Sequence, residues 1–600
     1  MKPDRYAHLM PFGAELRDDG VAFRLWAPSR EAATVIVDGA TCAMEPRAEG
    51  WFERTVRDAR AGSRYAFAFP GFGPHVPDPA SRFQPDGVHA ASEVVDPRAY
   101  CWRTTAWRGR PWHESVAYEL HVGTFTAEGT YAAAATRLDG LARLGVTAVE
   151  LMPLAQPAGA RNWGYDGVLP FAPQSAYGLP DELKAFVDTA HALGIGVLLD
   201  VVYNHFGPEG NYLHAFAEPF FTERHHTPWG AAINVDGEGA PVVREMFVQN
   251  ALYWLREYRF DGLRLDAVHE IRDDSPHPFL EELAARVRAG VEPGRHVHLV
   301  LENDANGSLL LERYDAQWND DAHHAFHVLL TGETYGYYRD YAREPARLLA
   351  RSLAEGFAYQ GEPSAHRGNA PRGEPSATLP TTAVVDFLQN HDQIGNRAFG
   401  ERIGALAPVA AVRAATAVLL LAPAIPLLFM GQEWSASTPF LFFSDFGAEL
   451  AQSVTEGRRR EVASWPGFRG TGPQAGPPDP QDPATMRASV LRWDEQSEPE
   501  HAAALALHAE LLALRHGVIV PRLAAGGRGD GYQLIAPTAL LVKWRFGDES
   551  SLGLIANLGP EPATVSYAIA GARIFSLGDV PARADQAALA PWSVGWFLDS

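Results

Sequence analysis

The stretch FDGLRLDAVH, residues 260 to 269, is apolar at Phe260, Leu263, Leu265, Ala267 and Val268, and Gly262 has no side chain to expose. It reads as a buried strand. Yet it carries Arg264 and Asp266, two residues apart. Side chains two apart on a strand face the same side, so this strand points a guanidinium and a carboxylate into one space. A structural ion pair at a strand end would explain the stretch taken alone.

Its surroundings repeat one unit. TRLDGLARLG sets Leu138, Leu141 and Leu144 on one helical face, with Gly145 as a stop, and the strand VTAVELMP follows. DELKAFVDTAHALG places Leu183, Phe186, Val187, Ala190 and Leu193 at helical spacing before the strand IGVLLDVVYNH. The unit recurs in VREMFVQNALYWLREYRFDGLRLD and in PFLEELAARVRAG followed by HVHLVLEND. Strands alternating with amphipathic helices imply parallel pairing with crossovers. Eight strands are expected, near 116–122, 147–152, 195–201, 260–266, 297–302, 315–319, 383–388 and 425–430, the sixth being weak. Eight such units predict a (β/α)8 TIM barrel. An open doubly wound sheet would carry a glycine-rich phosphate turn after a strand, and none is found.

The flanks read as β structure. GVAFRLWAPS, ATVIVDG and SRYAFAF are short strands, with Tyr65, Phe67 and Phe69 alternating, and Trp592, Val594, Trp596 and Leu598 alternate near the C-terminus. The expected division is an N-terminal β-sandwich over 1–110, a barrel with loop insertions over 111–515 and a C-terminal β-sandwich domain over 516–600. The Gly/Pro-rich stretches 361–378 and 466–485 read as surface loops. The apolar run 414–431 is broken by Pro423 and Pro426, so a buried helix–strand unit is expected and no membrane span.

A net charge of −22 over 600 residues offers no basic surplus for phosphates and argues against nucleic acid. Two cysteines, Cys42 and Cys101, point to a reducing cytoplasmic location without a disulfide framework. The first residues lack the apolar core and cleavage site of a secretory signal.

Catalytic groups of such barrels sit at the C-terminal ends of strands. Here the third strand ends in DVVYNH (200–205), the fourth in Arg264 and Asp266, the fifth in LEND (301–304) and the seventh in FLQNHDQIGNR (387–397). Converging acids repel one another unless they are paired or put to use. Retaining glycoside hydrolysis uses such a set: one carboxylate attacks the anomeric carbon and another, about 5–5.5 Å away, donates and retrieves a proton. An arginine on the same face holds the orientation and charge of the nucleophile, which accounts for Arg264 beside Asp266.

The segments DVVYNH, GLRLDAVH, LVLEND and FLQNHD, in this order on four strands, resemble the α-amylase family, glycoside hydrolase family 13. The resemblance covers about residues 112 to 510, and the flanks resemble the family's N-terminal carbohydrate-binding-like sandwich and C-terminal β domain. It implies that Asp266 is the nucleophile, Glu302 the general acid/base and Asp392 the third carboxylate, which binds sugar hydroxyls. It implies further that Arg264 pairs with the nucleophile, that His205 and His391 hold hydroxyls of the sugar at the cleaved bond, and that Tyr165 is the platform beneath it. Asp200 is expected to be structural.

NHFGPEGNYL (204–213), TPWGAAINVDG (227–237), HDQIGNRAFGER (391–402) and MGQEWSASTPF (430–440) narrow the resemblance. They are similar to the branch of the family that hydrolyses the α-1,4 bond beside the terminal trehalose of maltooligosyl trehalose. The alternative is a glucan branching enzyme or related glucanotransferase, which usually has glutamate where this chain has Gln393. A non-catalytic glucan-binding protein is disfavoured because all three carboxylates are present. His269 and Asp304 either meet the reducing-side sugar or bond to neighbouring loops. Phe206, Tyr212 and Trp229 divide between core and sugar platform. The adjacent pairs His225–His226 and His323–His324 lack ligand spacing, so neither a metal nor a cofactor is expected.

Overall fold

The computed structural model describes residues 6–463 and 476–600. Eight strands form a closed barrel in chain order: β1 Ala117–Leu120, β2 Ala148–Leu151, β3 Gly196–Val201, β4 Gly262–Leu265, β5 His298–Leu301, β6 Ala316–Trp318, β7 Val384–Phe387 and β8 Ile425–Phe429. Every neighbouring pair is parallel, and β8 returns to β1. Each strand falls inside the window its sequence marked. The weak sixth is three residues long. All eight are buried along their length, since the outer face is covered by helices and the inner face packs on itself.

The covering helices include α1 Leu138–Leu144, α2 Pro180–Ala192, α3 Ala240–Arg256, α4 Phe279–Gly290, α5 Asp320–Thr331, α6 Pro345–Glu355, α7 Val409–Leu421 and α8 Pro499–Leu514. Gly145 ends α1 at φ 107°, a left-handed conformation that favours glycine. In α2, Leu183, Phe186, Val187 and Ala190 are buried, as their spacing requires. At Gly262 a Cβ would stand 2.6 Å from the His298 carbonyl oxygen, so glycine is what lets β4 approach β5.

Two four-stranded antiparallel sheets precede the barrel, one ordered Gly13–Arg17, Gly20–Trp26, Trp51–Val56, Glu45–Pro46 and the other Ala40–Ala43, Thr34–Val37, Arg64–Ala68, Ser92–Glu93. Tyr65, Phe67 and Phe69 are buried: Tyr65 meets Phe23 of the first sheet and Phe67, and Phe69 stacks on Phe216 of the loop after β3. After the barrel comes a five-stranded sheet, Gly527–Ala536, Ala539–Phe546, Ser551–Asn557, Ser593–Asp599 and Ala572–Leu577, faced by a two-stranded sheet of Ala563–Ala568 and Arg583–Leu589. Two indoles dock it on the barrel: Trp544 Nε1–H donates to the Leu353 carbonyl of α6, and Trp596 Nε1–H to Ala417 of α7.

Three details differ from the sequence reading. Residues 361–378 are more than a surface loop: Glu362–Ser364 pairs with Ala370–Arg372, and Arg372 is drawn inward by Asp321, 2.7 Å away. In the second such stretch, residues 466–475 lie outside the described residues, and the described remainder includes the helix Pro483–Ala488. Trp592 precedes its strand by one residue at φ 51°, and the strand itself, Ser593–Asp599, is buried on both faces over its first five residues instead of alternating.

The run 414–431 resolves into α7 and β8, both buried. Their junction is held by Arg515, fully buried in the π-helical turn after α8. It donates to the carbonyls of Leu420, Ala422 and Ala424 at 3.1, 2.6 and 2.6 Å. Leu420 and Ala422 stand at the end of α7, where carbonyls lack helical partners, and Ala424 immediately precedes β8. Arg515→Met should strand them and lower unfolding stability by about 3 kcal/mol or more. Arg515→Lys should recover part of the loss. Denaturant midpoints equal to wild type in the methionine variant would refute this anchor.

Candidate active site

The strand ends of β1, β3, β4, β5 and β7 converge on a cavity of about 540 Å³. At its floor, Asp200 on β3 stands in register with Arg264 on β4. Arg264 is 1% exposed, and its Nη1 donates to Asp200 Oδ2 at 2.7 Å and to Asp266 Oδ1 at 2.9 Å. Nη2 lies 3.2 Å from Glu302 Oε2, and the guanidinium carbon sits 4.1 Å from the Trp318 ring centre. Asp266 is also held by Asn204, whose Nδ2 donates to its carbonyl at 2.8 Å and to Oδ2 at 2.9 Å. One cation and one amide thus fix both oxygens of Asp266.

The backbone turns sharply after Asp266. Ala267 has φ 39° and ψ 52°, a left-handed conformation that is strained for alanine. The turn aims the Ala267 N–H at Glu302 Oε2, 2.6 Å away, and the Val268 N–H at the Glu302 carbonyl, 3.0 Å away. Oε1 of Glu302 makes no bond to another of the described residues. Burial pushes the Glu302 carboxyl well above the usual range; Asp266 and Asp392 push the same way, against Arg264.

Tyr165 stacks on His391 at 5.0 Å between ring centres, and its hydroxyl donates to Asp200 Oδ2 at 2.6 Å. His205 contacts Asn204 Oδ1 and the Tyr165 carbonyl, and it stacks flat on Trp229 at 4.0 Å. Burial lowers its pKa. Asn390 caps the short helix His391–Gly395 by accepting from the Gln393 N–H, which places His391 and Asp392 in its first turn. Asp392 accepts from Asn396 Nδ2 at 3.0 Å and keeps a side chain 44% exposed to the cavity. His269 and Asp304 also line the cavity, 3.4 Å apart. Asp304 is engaged as well by Arg367, 2.7 Å from its carboxylate, and by Arg372, which donates to its carbonyl. All nine sequence-derived site residues are therefore brought to one place, Arg264 beneath the others. Among the loop aromatics, Trp229 lines the cavity, Phe206 packs against the core and Tyr212 bonds His89.

Other residues escaped the sequence reading. Glu119, at the end of β1, accepts from His391 Nδ1 at 2.5 Å and from the His391 N–H at 3.0 Å. Asp320 and His324 of α5 line the cavity, as do Tyr337, His366 and Arg372 of the long connection to β7. None sits in a recognisable motif. The available signal was placement alone: a charged residue ending an apolar strand, or polar residues just past one.

His225 Nε2, Asp236 and Asp274 bring their ligand atoms within 4.8 Å of one another. Arg224 already lies 3.2 Å from Asp236 and 3.6 Å from Asp274, so the cation there comes from the protein. His323 Nδ1 bonds the Leu388 carbonyl.

The family model of the alpha amylase catalytic domain matches residues 102–229, that of carbohydrate-binding module 48 (isoamylase N-terminal domain) residues 11–97, and a domain of unknown function, DUF3459, residues 527–596. A malto-oligosyltrehalose trehalohydrolase of Deinococcus radiodurans is 45% identical over 88% of this chain and 88% of its own. That of Rhizobium sp. M-11 is 43% identical over 85% and 86%. The crystal structure of a putative alpha amylase from Salmonella typhimurium superposes with a TM-score of 0.92 at 43% identity, covering 99% of this chain and 100% of that one. By contrast, a 1,4-alpha-glucan branching enzyme of Burkholderia thailandensis matches only 42% of this chain and 33% of its own, at 34% identity.

The Glu119–His391 pair carries a pH signature. Burial alone would lower the His391 pKa, but the charge and hydrogen bond of Glu119 more than offset it, so the pKa lies above 6.5. A raised folded pKa means the pair's stabilisation is full below pH 6.5 and fades as pH rises through the folded value. Glu119→Gln should drop the His391 pKa below 6.5 and flatten that dependence. An NMR titration of the ring nitrogens checks it, and an unmoved pKa would sink the assignment.

Proposed function

The chain belongs to the malto-oligosyltrehalose trehalohydrolases, within the α-amylase family of glycoside hydrolases, and on that premise we propose that it cleaves the α-1,4-glucosidic bond beside the terminal trehalose of maltooligosyl trehalose with retention. The observation that carries the reading is the pair of acids held by one guanidinium, Asp266 and Glu302, with Glu302 pushed toward its protonated form.

In the first step Glu302 gives its proton to the glycosidic oxygen while Asp266 attacks the anomeric carbon. The carbon–oxygen bond breaks and trehalose leaves. In the second, water gives a proton to the Glu302 carboxylate and its oxygen displaces Asp266, freeing the glucan. Oε2 of Glu302 is occupied by Ala267 and Arg264, which leaves Oε1 for the proton. Tyr165 and His391 offer stacked rings beneath the sugar, and His205, His391 and Asp392 offer polar atoms to its hydroxyls. Aromatic faces suit the C–H surface of a sugar ring. His269 and Asp304, which line the same cavity, offer polar atoms to the leaving group. The two free cysteines, Cys42 and Cys101, support a reducing compartment.

A branching enzyme would build the same glycosyl intermediate and pass it to a glucan hydroxyl. The full-length similarity to trehalohydrolases, against partial similarity to the branching enzyme, favours water as acceptor. Incubation with maltooligosyl trehalose should release free trehalose, with kcat/KM well above that on a maltooligosaccharide of equal length. Comparable efficiency on both, or new α-1,6 branches, would overturn the reading.

Asp266→Ala should fold and lose activity by several orders of magnitude; retention of a tenth of wild-type turnover would refute its role. Glu302→Gln should impair natural substrate far more than aryl glycosides whose leaving group needs no proton. Equal losses in the glycosylation rate on both would remove Glu302 as the proton donor.

A further inference from the structure

Two side chains in the cavity have no part in the chemistry above and lack partners of their own. Asp320 and His324 are four residues apart on α5, hence one turn apart on one face, and both line the cavity. His324 is 6% exposed, and neither ring nitrogen bonds to another of the described residues; Nδ1 is sealed from solvent without a partner. Three tyrosine rings, Tyr337, Tyr338 and Tyr341, hold the imidazole at 4.5 to 5.3 Å between centres. Asp320 makes neither a hydrogen bond nor an ion pair among the described residues. A ligand in the cavity cannot reach the sealed Nδ1, so what His324 offers there is Nε2, which lacks a partner without being sealed, and the half-buried Asp320 offers its carboxylate oxygens; two unpartnered polar groups on one cavity wall are a place where a polar ligand completes the set.

The bland account of Asp320 is that an acid in the first turn of α5 offsets the helix dipole. That account leaves His324 unexplained, and Asn319 already caps the helix through the Ala322 N–H. The adjoining residue Asp321 shows what a structural acid looks like here: its carboxylate is fully engaged by Arg372, Asn306 and the Ala358 and Tyr359 N–H groups. Asp320, one residue earlier, faces the cavity instead.

Position gives the ligand. The sugar under attack lies over Tyr165 and His391, against Asp266. The departing oxygen lies at Glu302, and Asp320 is near enough to act on the charge of Glu302. Tyr165 comes from the loop after β2, whereas Asp320 and His324 follow β6, across the cavity. We propose that Asp320 and His324 form a polar subsite for the departing disaccharide, taking hydroxyls of its sugar rings and selecting the turned terminal ring of an α,α-1,1 linkage. This rests on the trehalohydrolase reading and adds the residues that discriminate.

The chemistry fits a sugar. The reachable Nε2 of a neutral imidazole offers one donor or one acceptor, according to its tautomer, and a carboxylate takes up to two hydroxyl protons. Burial keeps His324 well below its usual pKa and lifts Asp320 to about 7, so neither demands a charged partner. Unpaired buried groups reject a leaving group that cannot meet them, which is how polar sites discriminate strongly.

The test compares two substrates with one glycone, maltotriosyl trehalose and 4-nitrophenyl α-maltotrioside, which has no reducing-side sugar. In His324→Phe and in Asp320→Asn, kcat/KM on the first should fall about 10- to 100-fold, and on the second far less. Equal falls on both substrates, no fall on either, or an inhibition constant for free trehalose equal to wild type would overturn the subsite, because Asp320 also acts on Glu302 and a disturbed proton donor alone would spare the aryl substrate. The trehalohydrolase reading is judged separately, on wild type alone, by its preference for maltotriosyl trehalose over maltopentaose. Were that preference missing, maltopentaose would replace the first substrate, and the same comparison would still decide whether these residues hold the leaving group.

Discussion

One buried guanidinium organises the floor of the cavity. Arg264 is almost wholly removed from water, and a charge so placed is costly unless paired and hydrogen-bonded. Its partners are three carboxylates, Asp200, Asp266 and Glu302, with the Trp318 face below. A single cation cannot neutralise three anions at close range, so the cluster is stable only if the acids divide into charged and protonated forms. Burial raises two of the three, Asp200 to about 6 and Glu302 well above its usual range, so the proton goes to Glu302 first. The proposed chemistry needs this same split between a proton donor and a nucleophile. A structural ion pair and the proposed catalytic pair are thus one object: the arrangement that makes the arginine tolerable also prepares the acids for that chemistry.

The cluster depends on register. Asp200 pairs across from Arg264, and Arg264 across from Val300, because β3, β4 and β5 lie parallel without slip. Gly262 lets β4 close on β5, and the strained Ala267 turns the chain so that its N–H meets Glu302. Barrel closure, one glycine and one strained residue therefore precede the site in the causal order. The strain at Ala267 persists because the strands before it and the bonds to Glu302 after it over-determine the turn.

Much of this was legible in the sequence. Each barrel strand must be mostly apolar, and each helix must be apolar on one face, so both leave local patterns that place all eight strands. The four signature segments were legible for a related reason: each is contiguous and ends a strand. What stayed hidden depends on distant partners. Glu119 reads as one acid in an apolar strand, and its meaning comes from His391, 272 residues away. The 361–378 stretch reads as a polar loop because its inward side chain, Arg372, is buried only through Asp321 and Tyr341. Asp320 and His324 stand where helical spacing leaves two readings, a solvated turn or a cavity wall, and only packing chooses.

The cavity thereby has two kinds of wall. On one, Asp266, Glu302 and Arg264 issue directly from strand ends and His391 from the short helix just after β7, where Glu119 of β1 holds it, so the barrel fixes them. On the other, Asp320 and His324 belong to α5, and Tyr337, His366 and Arg372 to the connection before β7, held to the barrel by the cluster of Arg372, Asp321, Tyr341 and Asn306. Changes on the first wall disturb an ion cluster whose members compensate one another, so few are tolerated without loss of the chemistry. Changes on the second alter which hydroxyls are met while leaving the acids in place. A barrel of this design can therefore keep one bond-breaking apparatus and vary the leaving group it accepts, because the polar atoms that read the leaving group are carried by segments outside the sheet.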